Sequence, residues 1–148
     1  MIQIREVPHG SPEYRQTVEL RRAVLRIPLG LDLSEEELAA ESNEIHLAAF
    51  EDDHVIACLV LVPMPDGEIK MRQVAVRPDL QGTGIGTRLV QASEDLARQR
   101  ALQTMTLHSR DTAVRFYERM GYQIEGEMFE EVTIPHFGMF KRLNERDI

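Results

Sequence analysis

The alternation Ile2-Gln3-Ile4-Arg5-Glu6-Val7 predicts an opening strand. Ser11, Pro12 and Glu13 then supply a cap, a proline in the first turn and an acidic start for a helix expected to run to about Arg26. Pro28-Leu29-Gly30-Leu31 breaks that helix, and Ser34 with Glu35-Glu36-Glu37 opens a second, short one whose carboxylates suit its positive end. Together, that loop and helix have the look of a lid. Ile45 to Phe50 and Val55 to Val62 predict strands joined by the acidic turn Glu51-Asp52-Asp53-His54, and Pro65-Asp66-Gly67 turns the chain again. Met71 to Val76 is the next strand. After Pro78 and a glycine-rich turn, Ile85, Leu89, Ala92 and Leu96 recur at helical spacing, the mark of an amphipathic helix packed on a sheet. Thr104 to His108 predicts a short strand, and Ala113, Phe116, Tyr117 and Met120 a brief helix that Gly121 stops. Two last strands, about Tyr122 to Val132 and His136 to Arg142, are joined near Pro135. The order β-α-α-β-β-β-α-β-α-β-β fits an α/β layered domain with a central, partly antiparallel sheet.

Composition narrows this picture without changing it. With 148 residues, 43% of them hydrophobic, one domain over residues 1–148 is the simplest organisation, and no repeat or linker divides it. Seventeen basic against 25 acidic residues give a net charge of -8, which argues against broad binding to nucleic acid or to an anionic membrane and tolerates a cationic substrate. The longest apolar run, Val55 to Pro63, is far short of a membrane span. The start Met1-Ile2-Gln3-Ile4-Arg5 carries no signal-peptide stretch and the single cysteine has no intrachain partner, so a cytoplasmic location is expected. Cys58 lies in a continuous apolar strand and is expected to pack rather than react. His9, His46, His54, His108 and His136 show no paired ligand spacing, and no metal is expected.

The most informative segment is Gln81-Gly82-Thr83-Gly84-Ile85-Gly86, between a predicted strand and an amphipathic helix. At that place unpaired amides and the helix dipole meet an anion, and residues without side chains let it approach the main chain. A Walker loop is excluded, because the turn continues as Gly86-Thr87-Arg88-Leu89 without the required lysine. The dinucleotide fingerprint is excluded as well, since the glycines fall at alternate positions 82, 84 and 86. What remains is a diphosphate site of another kind.

Gln81, Gly84 and Gly86 match the Gln/Arg-x-x-Gly-x-Gly/Ala turn of acyl-coenzyme A enzymes, and Ala113-Val114-Arg115-Phe116-Tyr117-Glu118-Arg119-Met120-Gly121-Tyr122 matches an A-x-x-F-Y-E-x-x-G-F/Y segment at a suitable distance. With the strand Gln73-Val74-Ala75-Val76-Arg77-Pro78, these motifs identify residues 69 to 122 as resembling the GNAT N-acetyltransferase superfamily. The resemblance implies the GNAT fold: a mixed, mostly antiparallel sheet flanked by about four helices. It implies transfer of acetyl from acetyl-coenzyme A to a primary amine by direct attack, through a tetrahedral intermediate. By the same resemblance the Val74 amide stabilises the developing oxyanion, Val76 bonds the pantetheine arm, and Gln81, Gly82, Thr83, Gly84, Ile85 and Gly86 hold the pyrophosphate. Arg77 and Arg88 flank the turn and could pair with phosphates or simply face solvent.

Tyr117 is the family-matched general acid. Lys70 stands where some members carry a glutamate, so the general base is open among His108, His136, Glu68 and a water chain, with His108 favoured by its strand. The tail Gly126 to His136 resembles the G-x-x-F-x-E-x-G-I-P-H ending of a subgroup of small bacterial GNAT proteins, with Thr133 in place of its glycine, and a β-branched residue there is expected to avoid positive φ. Arg21, Arg22, Glu41 and His46 either border the acceptor pocket or form a solvated edge. A non-catalytic acyl-coenzyme A sensor or interaction module is the alternative reading, and a homodimer stays open.

Overall fold

The computed structural model describes residues 1–143. Its elements are β1 (Ile2–Glu6), α1 (Pro12–Arg21), α2 (Glu35–Ala40), β2 (Ile45–Glu51), β3 (His54–Pro63), β4 (Glu68–Val76), α3 (Ile85–Gln99), β5 (Thr104–Arg110), α4 (Val114–Glu118), β6 (Gln123–Glu131) and β7 (Ile134–Arg142). This is the predicted order. The strands form a mixed seven-stranded sheet in the order β1-β2-β3-β4-β5-β7-β6, so the protein is α/β. No helix of the described residues is long and apolar enough to cross a membrane.

Two compact units divide the chain: Met1–Val62 with Gln73–Ser93, and Pro63–Arg72 with the residues from Glu94 onward. In the first, β1 and β3 flank β2 in antiparallel ladders, Ile2 opposite Glu51 and Ile45 opposite Leu61. Six of the seven residues of β2 are buried, which accounts for its unbroken apolar run. A core of Val7, Tyr14, Val18, Ala48, Phe50, Val55, Cys58 and Ala75 joins α1 to these strands. Ser11 caps α1 by accepting from the Tyr14 amide, with Pro12 in the first turn. The helical run does reach Arg26, as a five-residue π-helical segment, Arg22–Arg26, and Gly30 ends the following 3-10 turn at φ 75. Ser34 and Glu37 form a reciprocal capping box at α2. Salt bridges from Arg22 to Asp32 and from Arg26 to Glu37 tie this region to the first helix.

In the second unit, the first half of β4 runs parallel to β5, from Glu68 opposite Thr104 to Met71 opposite Leu107. β5 pairs antiparallel with β7, and β7 with β6. The turn between β6 and β7 departs from expectation: it is Val132-Thr133, with φ 53 and 61, rather than a turn near Pro135. A two-residue turn with both centres left-handed matches the twist of a hairpin, and that demand overrides the penalty on β-branched residues. Thr133 Oγ1 donates to the Val132 carbonyl within the turn. Pro135 falls inside β7, beyond its last pairing with β5 at His136. Replacing Val132-Thr133 by Asn-Gly is expected to raise unfolding free energy by about 1–2 kcal/mol, because it removes two strained φ values and loses part of the gain to glycine's backbone entropy. Urea unfolding of the double variant checks this, and no gain would contradict the assigned strain.

Candidate active site

The glycine turn follows β4 in the first unit. A 3-10 turn, Pro78–Leu80, leads into it, and Gln81 Nε2 donates to the Val76 carbonyl at 3.1 Å, folding the turn back onto the end of the strand. Thr83 braces it with two bonds to the Leu80 carbonyl, one from its amide and one from its hydroxyl. Gly82 and Gly84 take φ 83 and 92, and a Cβ at either would meet nothing within 4 Å. Glycine is therefore required here by backbone conformation, and the space above the main chain is open. The first helical amide to find a partner is Arg88, donating to the Gly84 carbonyl at 3.0 Å. By position, the amides of Ile85, Gly86 and Thr87 are first-turn donors, which the helix's own carbonyls cannot satisfy.

Charge reinforces this geometry. α1 and α2 carry acidic residues in their first turns, whereas α3, 15 residues long, carries none. Its positive end is left for an external anion. An unobstructed turn, the amides of a helix's first turn and an uncompensated helix dipole together favour an anion at this place. Of the two flanking arginines, Arg77 already holds Asp79 with two nitrogens, at 2.7 and 3.1 Å, while Arg88 is exposed on the helix. Val74 and Val76, both half-buried, lie in the last part of β4, where Gln73 adopts φ 53.

In the second unit, Tyr117 is 7% exposed. Its ring meets Phe116 and Tyr122 edge-on, with centroids 5.0 and 5.7 Å away. Burial pushes its phenol up to about 12. Tyr122 is fixed in turn by its hydroxyl, which donates to buried Glu94 at 2.8 Å, and Lys141 donates to the other oxygen of that carboxylate at 3.0 Å. The aromatic motif therefore supplies a rigid seat for one hydroxyl.

The candidate bases separate. His108 is exposed near the end of β5 and its Nδ1 donates to Glu131 Oε1 at 2.9 Å, which leaves Nε2 with the lone pair. Phe129 packs edge-on against the same ring. His136 is buried, stacks on Phe129, and donates from Nδ1 to the Ile134 carbonyl at 2.8 Å. Glu68 and Lys70 sit early in β4, opposite Thr104 and Thr106. Among the described residues, no three His, Cys, Asp or Glu side chains converge as metal ligands would. Cys58 is buried, with its thiol pushed up to about 12 by burial.

Arg21, Glu41 and His46 form no solvated edge. They are buried, at 0%, 2% and 3% exposure. Arg21 grips Glu41 with both terminal nitrogens and donates from Nε to Gln73 Oε1 at 2.9 Å; Tyr14 gives its hydroxyl to Glu41 at 2.8 Å; and His46 Nε2 donates to the Glu41 carbonyl at 3.0 Å. Burial alone would raise the Glu41 carboxyl, but Arg21 and then Tyr14 outweigh it and hold it below the usual carboxylate range. Gln73 and Glu131 were not anticipated. The one signal for Gln73 is a polar residue directly before the apolar run Val74-Ala75-Val76 of β4, and Glu131 needed the β6–β7 fold-back to reach His108.

A family model described as "Acetyltransferase (GNAT) family" matches residues 11–122. The uncharacterised protein YyaT of Bacillus subtilis strain 168 is 25% identical over 129 residues, covering 81% of this chain and 87% of its own. A crystal structure of a candidate N-acetyltransferase from Lactobacillus plantarum superposes with a TM-score of 0.86 at 28% identity, over 96% of this chain and 98% of its own. An aminoglycoside 6'-N-acetyltransferase complexed with coenzyme A shares the fold, with a TM-score of 0.83 at 21% identity and 99% coverage of each chain. With residues 11–122, more than half of its length, matched by the family model, the chain belongs to the GNAT acetyltransferase family.

Proposed function

We propose that this acyltransferase acts as a single catalytic domain that moves acetyl from acetyl-coenzyme A to a primary amine by direct attack. The observation that carries the proposal is the α3 turn, whose orphan amides and uncompensated positive end follow directly on β4. Gln81 to Gly86 hold the pyrophosphate, Val76 bonds the pantetheine arm, and Arg88 is the better placed of the two arginines for a phosphate. The Val74 amide donates to the acyl oxygen as it gains charge. His108, through Nε2, takes the proton that an alkyl ammonium of pKa about 10 must lose. Tyr117 donates to the departing sulfur. An acceptor carrying positive charge agrees with the net charge of -8.

A thiol-release assay over a diverse amine panel tests this reading. Release of coenzyme A that depends on the amine is expected. Binding of acetyl-coenzyme A without release across the panel would favour a non-catalytic sensor. For the base, His108→Ala is expected to leave coenzyme A affinity intact and remove the acidic limb of the kcat/KM profile against pH. An unchanged limb would exclude His108.

A further inference from the structure

Gln73 is the one non-glycine residue among the described ones that takes a left-handed φ, 53, inside a strand rather than in a turn. Such a backbone persists only where its surroundings over-determine it. The restraint is visible. Arg21 Nε donates to Gln73 Oε1 at 2.9 Å, and Arg21 is itself completely buried and immobilised by Glu41, which takes both terminal nitrogens of the guanidinium. A guanidinium only donates, so the glutamine must turn its oxygen toward Arg21, and its orientation is set without ambiguity.

This restraint bears on a particular amide. The peptide plane between residues 73 and 74 carries the Val74 N–H, and its direction follows from the backbone angles of Gln73. An ordinary extended residue at 73 would rotate that plane and carry the N–H with it. We propose that Arg21, locked by Glu41, and Gln73 are positioning residues that aim the Val74 amide at the acyl oxygen. The inference rests on the proposed role of Val74 as the oxyanion donor and extends it to the side chains of Gln73, Arg21 and Glu41, the last two of them buried.

The test combines kinetics with the amide resonance of Val74. Gln73→Met keeps the length of the side chain and removes its acceptor; Gln73→Glu keeps the acceptor; Gln73→Gly tolerates the left-handed backbone but has no anchor. In the wild type, the Val74 resonance is expected to shift further with acetyl-coenzyme A than with coenzyme A. In Gln73→Met that difference is lost and kcat falls at least tenfold, while KM for acetyl-coenzyme A changes less than threefold. Gln73→Glu recovers part of the loss. Should the methionine variant fail to fold, the glycine variant carries the same comparison, since it relieves the strain and still lacks the anchor. Wild-type kcat in an unanchored variant overturns the positioning role, as does a loss confined to stability or coenzyme affinity. A wild-type enzyme that releases thiol while its Val74 resonance ignores the acetyl group overturns the donor assignment instead, and with it this inference.

Discussion

Tyr117→Phe is expected to lower kcat by about 10²-fold while leaving coenzyme A affinity and thermal stability close to those of the parent, since proton donation by a positioned side chain typically contributes 10² to 10⁴. The ring stays where it is. Its packing against Phe116 and Tyr122 involves carbon edges that phenylalanine reproduces, so the substitution removes the hydroxyl and little else. The raised phenol, at about 12, also limits what that hydroxyl can do. It remains protonated at every working pH and is always available as a donor. It is nevertheless a weaker acid than a thiol of ordinary pKa about 8.5, so complete transfer to a free thiolate would be uphill by about 3.5 pH units. In the proposed reaction Tyr117 would therefore act while the carbon–sulfur bond is still breaking, by hydrogen bonding to sulfur as charge accumulates there. Two measurable consequences follow from that view. The loss should appear in kcat rather than in the coenzyme dissociation constant, and the wild-type profile should show no basic limb assignable to Tyr117 below pH about 11. Unchanged turnover in the phenylalanine variant would remove Tyr117 from the reaction.

Features of this protein that are legible in its sequence are those encoded within a few residues. Ser11-Pro12-Glu13 and Ser34 with Glu37 are start signals because each cap satisfies an amide three residues away, and both form as expected. Gly82 and Gly84 are readable because left-handed φ at the mouth of a helix asks for glycine. The same reasoning misled at Thr133. There the twist of a hairpin imposed positive φ on two β-branched residues, a demand set by the pairing of β6 with β7 and not by the turn's own preferences. Contacts between distant segments were harder still. Arg21 and Glu41 are 20 residues apart and Arg21 and Gln73 are 52 apart. Charged residues on a helix read as solvated until the fold brings a partner to them, because only pairing makes their burial tolerable. His108 was readable as a candidate from its strand, whereas the carboxylate that sets its tautomer is Glu131, 23 residues away across the sheet.

Glu41→Ala is expected to destabilise the protein by about 3–5 kcal/mol, the range for breaking a buried ion pair by removing one partner. The cause is the charge left behind. Arg21 is completely buried and keeps only the neutral Gln73 and Tyr14 side chains beside it once Glu41 is gone, and Tyr14 loses the acceptor of its hydroxyl as well. Replacing the network by apolar groups, Arg21→Met with Glu41→Leu and Tyr14→Phe, removes the orphaned charge along with the pair and is expected to cost much less, within about 2 kcal/mol of the parent. The two variants also differ with pH. Because Glu41 is held below its ordinary value of about 4.5 in the folded state, its contribution is complete above that value and is lost as pH falls through the lower, folded one. Urea unfolding at pH 7 and pH 4 should therefore show the parent losing stability from this source on acidification and the apolar variant lacking that part of the loss. Stability and turnover should then separate: the apolar variant stays folded, but Gln73 has no donor, so its turnover falls with that of the unanchored Gln73 variants. A folded apolar variant with parental turnover would confine the buried pair to holding the core.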